Sequence, residues 1–270
     1  MDQLLRLDVE NAVATVTFDN PPRGYMTAAQ VAELDIVVDK IASDDDIKAV
    51  IFTGGVPGVF VRHYDVSEIM DVAKTIRAGS YSEADLMASG ARGNAISAVF
   101  DKVDRLPKPT IAAINGFAQG GGFEFALCCD IRLAESGDYR IGLPETNIGI
   151  FPGAGGTERL PRLIGEAKAL ELILRGRTVQ PDEALALGMV HEVSPGDVLT
   201  RAKAVAAEMA VMPARGIAEA KGLVKRTGEK HLDEACGTAR GRFSVLLRED
   251  SAAIEAMQRF LDEGEDINRR

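Results

Sequence analysis

The 270-residue sequence has no tryptophan and only three cysteines, Cys128, Cys129 and Cys236. Adjacent cysteines rarely pair with each other, and no CxxC or Cys/His cluster has zinc spacing, so a disulfide scaffold and a zinc site are both excluded. Buried, reduced thiols are the expectation. Nothing suggests another metal or a redox cofactor. No run approaches the ~18 uncharged apolar residues that a spanning helix needs. Residues 1–6 lack both a basic-then-apolar start and an arginine-rich, acid-poor composition, which argues for a soluble cytoplasmic protein with no membrane partner. Positive charge is also short: 31 Lys and Arg face 41 Asp and Glu, a net charge of −10. A nucleic-acid partner, which needs a basic stripe to displace counterions, is therefore not expected. A phosphorylated ligand would have to be held by a few local cations or by backbone amides.

What the chain does have is apolar residues, 46% of the total, and 27 glycines. Short apolar runs alternate with helical stretches. Residues 4–9 and 13–18 read as a strand pair around a turn at Glu10-Asn11. Residues 28–41 have helical periodicity, with Val31, Leu34, Val38 and Ile41 on one stripe. Strands are expected at 49–53, 110–114 and 129–134, with a long polar, helical stretch over 66–105 broken by a loop near Ala78-Gly79-Ser80. Strands alternating with helices predict an α/β protein. From about Gly196 only helices are predicted, over 199–209, 213–226, 231–248 and 251–261. The expected organisation is thus an α/β core over 1–195 and a helical region over 196–270. No fixed-period repeat or low-complexity tract occurs.

The most unusual segment is Asn115-Gly116-Phe117-Ala118-Gln119-Gly120-Gly121-Gly122-Phe123-Glu124-Phe125. Three glycines after a strand open backbone angles closed to other residues and let a ligand touch the main chain. A helix starting there would present unpaired N–H groups and partial positive charge, which suits a phosphate or a developing oxyanion. Glu124 sits in an apolar run, where a carboxylate needs a partner or takes a raised pKa. Taken alone, it reads equally well as a first-turn acid complementing the helix dipole.

A second segment, Pro144-Glu145 through Pro152-Gly153-Ala154-Gly155-Gly156-Thr157-Glu158-Arg159-Leu160, superficially resembles a phosphate loop. It lacks the lysine and spacing of GxxxxGK[ST] and also fails GxGxxG, so neither an NTPase nor a dinucleotide enzyme is supported. By itself Glu145 reads as a solvated loop carboxylate. A third segment, from Thr53-Gly54-Gly55 to Arg62-His63-Tyr64-Asp65-Val66, leads a strand through a glycine-rich loop into a helix.

Together these segments resemble the crotonase (enoyl-CoA hydratase/isomerase) superfamily. The matches are Pro109-Thr110-Ile111-Ala112-Ala113-Ile114-Asn115-Gly116, the Gly120-Gly121-Gly122-x-Glu124 run ending in Cys129-Asp130, and Pro144-Glu145 leading to Pro152-Gly153-Ala154-Gly155-Gly156-Thr157-x-Arg159-Leu160. The resemblance implies a spiral core of repeated ββα turns and C-terminal helices that help build homotrimers, often paired into hexamers. It implies an oxyanion hole made by the backbone N–H groups of Tyr64 and Gly121, and Glu124 and Glu145 as catalytic carboxylates. The implied ligand is an acyl-CoA, with coenzyme A arriving as part of the thioester rather than as a cofactor. It would lie along Arg23, Gly24 and Tyr25 and the loop of His63, Asp65, Val66 and Ser67, with Arg23 on a phosphate; Gly120, Gly122, Pro144 and Gly153 are further implied CoA- or substrate-binding residues.

Relatives carrying both glutamates typically hydrate a 2-enoyl-CoA to the 3-hydroxyacyl-CoA. Double-bond isomerisation, thioester hydrolysis, retro-aldol cleavage and decarboxylation use the same hole, and a non-catalytic acyl-CoA-binding role is the alternative of a different class. Three departures from the family pattern stand out. His63-Tyr64 stands where relatives usually carry small residues, and with Arg62 it forms a cluster of large polar side chains, so His63 is either an added acid/base or substrate ligand, or part of a surface or gating loop of changed shape. Tyr25-Met26 replaces Leu-Asn. Residues 260–266 are acidic where relatives often carry basic residues for a neighbouring subunit's nucleotide.

Overall fold

The alternation of short apolar runs with helices resolves, in the computed structural model, into a repeated unit of two strands and a helical segment. Residues 4–226 and 232–262 are described, apart from the side chains of 232–236 and 259–261. The acidic run 260–266, His231 and the Cys236 thiol therefore lie wholly or mostly outside the described residues. The chain opens with β1 (Leu5–Glu10) and β2 (Val13–Phe18), an antiparallel pair with Leu5 opposite Phe18 and Glu10 opposite Val13. Asn11 and Ala12 turn it, both at positive φ, the geometry of a tight two-residue hairpin. Then come α1 (Ala28–Ser43), β3 (Ala49–Gly54) and β4 (Val59–Val61). The polar stretch holds α2 (Val66–Ala78), α3 (Glu83–Arg92) and α4 (Ala95–Arg105). β5 (Thr110–Ile114), β6 (Phe117–Gln119) and α5 (Gly121–Cys128) follow.

Next are β7 (Ile131–Glu135), β8 (Ile141–Gly142) and a 3-10 turn at Glu145–Ile148. Then come α6 (Gly156–Ile164), α7 (Glu166–Leu174), β9 (Thr178–Val179), α8 (Pro181–Leu187) and β10 (Glu192–Ser194). The chain continues with α9 (Val198–Ala210), α10 (Ala214–Lys225), α11 (Leu232–Glu249) and α12 (Ser251–Asp262).

One sheet runs β1-β2-β3-β5-β7-β10 and is parallel from β2 onward; the other runs β4-β6-β8-β9. β3→β4, β5→β6 and β7→β8 each lay one strand in each sheet before the chain leaves for its helices. This is the ββα spiral of the expected fold. At the corner between sheets the Asn115 side chain clasps Gly54: Gly54 N–H donates to Oδ1 at 3.1 Å, and Nδ2 donates to the Gly54 carbonyl at 2.9 Å. The strand expected at 129–134 starts two residues later, because Cys129 still closes α5. The resemblance implied two strands per turn, but the residue pattern did not place the strands of the second sheet, because strands of two or three residues show no periodicity.

Phe125 centres the main core, meeting Phe18 and Phe52 edge-on at 5.0 Å and Phe100 at 5.4 Å. Such pairs contribute about 0.5–1.5 kcal/mol each beyond area burial, and they fix α5, which carries Glu124. The predicted α1 stripe is buried. A second cluster lies on the other face of the first sheet, where Ile51, Ile111 and Leu133 meet Val198, Ala202 and Ala206 of α9. α10 buries no side chain fully. Among the described residues no helix is long and apolar enough to cross a membrane.

Candidate active site

The site forms where β4, β6 and β8 of the second sheet end. Gly122 is the contact on which the assembly depends: a Cβ there would lie 2.0 Å from the Val61 carbonyl oxygen. Only glycine lets the first turn of α5 sit on the end of β4. Gly120, at φ 50° and ψ −129°, makes the turn from strand to helix. Its N–H donates to the Gly142 carbonyl at 2.9 Å, and its own carbonyl accepts from Phe123 and Glu124. Gly121 is the first helical residue, so its N–H has no intrahelical acceptor.

Tyr64 stands beside it. A Cβ on Gly121 would be 3.1 Å from Tyr64 Cβ and 3.4 Å from Tyr64 N. Tyr64 forms an isolated parallel bridge with Met26, made by Met26 N–H donating to the His63 carbonyl (2.9 Å) and Asp65 N–H donating to the Met26 carbonyl (2.8 Å). In a parallel pairing, bonds through both neighbours turn the central residue's own N–H the other way. Neither the Tyr64 nor the Gly121 N–H donates to an acceptor among the described residues. Two adjacent free amides can stabilise one oxyanion.

Glu124 is 3% exposed. Its Oε1 accepts from Ala154 N–H at 2.8 Å and Gly156 N–H at 2.9 Å. Burial raises its pKa above the ordinary glutamate value, while the two amides favour the carboxylate and oppose the rise. Arg159 of α6 holds the same loop from behind, donating from Nη1 to the Ala154 carbonyl (3.2 Å) and from Nη2 to Asp101 (2.9 Å).

Glu145 opens the 3-10 turn and is half-buried. The turn is pinned to the end of α7 and the residues after it: Thr146 Oγ1 donates to the Ile173 carbonyl (2.7 Å) and Asn147 Nδ2 to the Gly176 carbonyl (2.8 Å). A Cβ on Gly120 would be 3.2 Å from Glu145 Oε1 and 3.7 Å from His63 Cβ, so this carboxylate meets the glycine turn. Glu145 Oε2 is buried with no hydrogen-bond partner among the described residues. Burial first, and then the charge of Glu124, push the Glu145 carboxyl up to about 7. A carboxyl poised near neutrality beside a hydrogen-bonded carboxylate is suited to acid/base exchange.

The Arg62-His63-Tyr64 cluster does not act as one unit. The Arg62 guanidinium lies 4.5 Å over the Phe117 ring. Tyr64 OH donates to Glu68 at 2.6 Å. His63 stacks on Tyr25, centroids 4.2 Å apart, and its Nδ1 bonds the Tyr64 carbonyl at 2.7 Å. Arg23 lies 5.7 Å from the Tyr25 ring centre, and the Gly24 carbonyl accepts from Arg62 N–H. Asp65 caps α2, accepting from the Ser67 amide and hydroxyl, and Val66 is exposed beside it. Pro144 immediately precedes the Glu145 turn, and Gly153 is exposed in the loop next to Ala154.

Sequence reasoning assigned no role to the amides of Ala154 and Gly156, to Arg159 or to Glu68. A glycine run opening a helix at Gly156 was a usable signal for the first two. Nothing local connects Arg159 with Asp101, which is 58 positions away, whereas Glu68 follows Tyr64 by four positions, a spacing that was a usable signal.

The chain is similar to known proteins over most of its length. The enoyl-CoA hydratase/isomerase family profile matches residues 8–267. A short-chain-enoyl-CoA hydratase of Clostridium acetobutylicum is 40% identical over 202 residues, 74% of this chain and 72% of that protein. The crystal structure of an enoyl-CoA hydratase from Bacillus anthracis superposes with a TM-score of 0.83 at 30% identity, covering 97% of each chain. Pseudomonas aeruginosa DspI superposes with a TM-score of 0.84 at 29% identity, covering 96% of this chain and 94% of that one.

Proposed function

Because this chain belongs to the enoyl-CoA hydratase/isomerase (crotonase) family, we propose that it adds water across the double bond of a 2-enoyl-CoA to form the 3-hydroxyacyl-CoA. The observation that carries the reading is the convergence of two interacting carboxylates, one buried and one half-buried, on a glycine turn beside two free amides. The thioester oxygen sits between the Tyr64 and Gly121 N–H groups. Water lies between Glu124 and Glu145. Glu124, oriented through Oε1 by two backbone amides, takes a proton from the water as its oxygen bonds C3. The C2–C3 π electrons move toward the carbonyl, and the two amides stabilise the enolate oxygen. Glu145, held near half-protonation, delivers its proton to C2 as the enolate collapses. The added atoms sum to one water, and proton return from Glu124 to Glu145 resets the pair.

The coenzyme A portion is assigned to the groove beside the Arg23-Gly24-Tyr25 segment and the start of α2, with Arg23 on a phosphate. An Arg23→Ala variant should then raise KM for the CoA thioester more than for the matching pantetheine thioester; an equal effect on both would remove that assignment. The reaction itself is tested with a panel of short, long and aryl 2-enoyl-CoA thioesters and mass-spectrometric product detection. Hydration adds the mass of one water, isomerisation leaves the mass unchanged, and hydrolysis releases free CoA. Loss of the conjugated enoyl-thioester absorbance with the water adduct as product is expected. No turnover of any chain length would refute the reading.

A further inference from the structure

Tyr64 carries one of the two free amides, and its phenol is not idle. Tyr64 OH donates to Glu68 Oε2 at 2.6 Å, and the same oxygen accepts from the Ala28 N–H at 2.8 Å. Ala28 is the first residue of α1, two positions beyond Met26, whose backbone brackets Tyr64 through both of its neighbours. The side chain and main chain of Tyr64 are thereby tied to one short segment, residues 26–28. On its other side Tyr64 Cβ packs against Gly121.

We infer that Tyr64 positions its own backbone N–H, through Glu68 and the first turn of α1, so that this amide keeps its place opposite Gly121 as charge develops on the thioester oxygen. The Glu68 carboxylate is the keystone of the brace and a positioning residue, since it touches neither the carboxylates nor the two amides. Glu68 gives α2 and α1 one shared anchor: it lies in the first turn of α2, where a negative charge is favoured, and it also accepts from an orphan donor at the start of α1. The phenol keeps its proton, because burial and the Glu68 hydrogen bond both raise its pKa. A tyrosine here therefore stabilises what a methyl group cannot: the orientation of a loop amide at a helix junction.

This inference rests on the oxyanion-hole reading above, so its test separates the hole from the turnover. A 3-oxoacyl-CoA has an acidic C2–H, and binding in a working hole raises the near-ultraviolet band of its enolate without any reaction. The probe is 3-oxobutyryl-CoA, titrated at fixed pH into the unmodified protein and into Tyr64→Phe, Glu68→Ala, Glu68→Gln and the Tyr64→Phe/Glu68→Ala double variant. Tyr64→Phe should lower kcat about five-fold, the effect of one hydrogen bond. Glu68→Ala should lower it on the order of ten-fold, with KM within about two-fold, the kcat-against-KM split expected when only transition-state contacts weaken. The enolate band should fall in parallel. Glu68→Gln keeps an oxygen able to accept both bonds and should recover most of the loss. The double variant should be no worse than Glu68→Ala, because the phenol then has no partner to lose. Melting temperatures accompany each variant. An enolate band and kcat unchanged in Tyr64→Phe and Glu68→Ala, with only the melting temperature lowered, would overturn the brace and leave the hole standing. Failure of the unmodified protein to raise the band would instead overturn the hole, and the brace with it.

Discussion

Replacing Gly122 with alanine should separate catalysis from folding more sharply than any change to the glutamates. The new Cβ would lie 2.0 Å from the Val61 carbonyl oxygen and 2.8 Å from its carbonyl carbon. Carbon–oxygen contacts settle near about 3.3 Å, so α5 must withdraw from β4 by roughly 1 Å, because backbone cannot rotate aside as a side chain can. α5 carries both the Gly121 N–H and Glu124, so the hole and the base move together. Overpacking of this kind costs about 1–3 kcal/mol of stability, a drop of roughly 2–12 °C in Tm for a chain of this size. The effect on rate is larger: about 1 Å of misplacement costs on the order of 100-fold, near 2.7 kcal/mol of barrier. The assay is kcat/KM for enoyl-CoA hydration beside a melting curve. Gly216→Ala in α10 is the control, since a Cβ there meets nothing within 4 Å and alanine favours a helix. If Gly122→Ala keeps kcat/KM within about three-fold, the close approach of α5 to β4 does not set the site's geometry, whatever happens to Tm.

Three further outcomes are expected. The Glu145 carboxyl is raised to about 7 in the folded chain, so folding favours its protonated form; this contribution is complete below the unfolded value and is lost as pH rises through 7. Glu145→Gln should accordingly gain about 1–3 kcal/mol on the parent between pH 4 and pH 8 in denaturant titrations, while abolishing most hydration; a pH-independent difference would discount the raised pKa. Arg159→Met should free the loop that presents the Ala154 and Gly156 amides and lower kcat roughly ten-fold. A turnover unchanged while Tm falls would leave Arg159 a purely structural role. We also propose that the C-terminal helices assemble copies of the chain, because α10 buries no side chain fully within one copy and Val224 of α10 and Phe243 of α11 are 71% and 60% exposed. Val224→Glu combined with Phe243→Glu should reduce the mass seen by light scattering after gel filtration; an unmodified protein that elutes as a monomer would refute this.

The α/β class and the hairpin were legible from short apolar runs bounded by turn residues, and the α1 stripe and most long helices from apolar periodicity over ten or more residues. The second sheet was not: β4, β6, β8 and β9 each have two or three residues, and only their pairing makes them strands. The glutamates were legible only as members of glycine-rich motifs. Neither the acid-favouring surroundings of Glu145 nor the two amides on Glu124 could be read from neighbours in the chain, because the groups responsible lie about 20–32 positions away.

The sequence alone determined that three glycines precede Glu124, that a tyrosine stands at position 64 after a glycine-rich loop, and that acidic residues outnumber basic ones, 41 to 31. Those are matters of residue type and local backbone freedom. Tertiary structure alone decided that Gly121 and Tyr64 present their N–H groups side by side, that Glu124 and Glu145 feel each other's charge, and that the Tyr64 phenol reaches Glu68. The first two depend on distances between segments remote in sequence, and the third, across only four positions, on the way β4 hands over to α2. Such distances are set by how parallel strand ends stack across the two sheets, through a contact as specific as Gly122 against Val61.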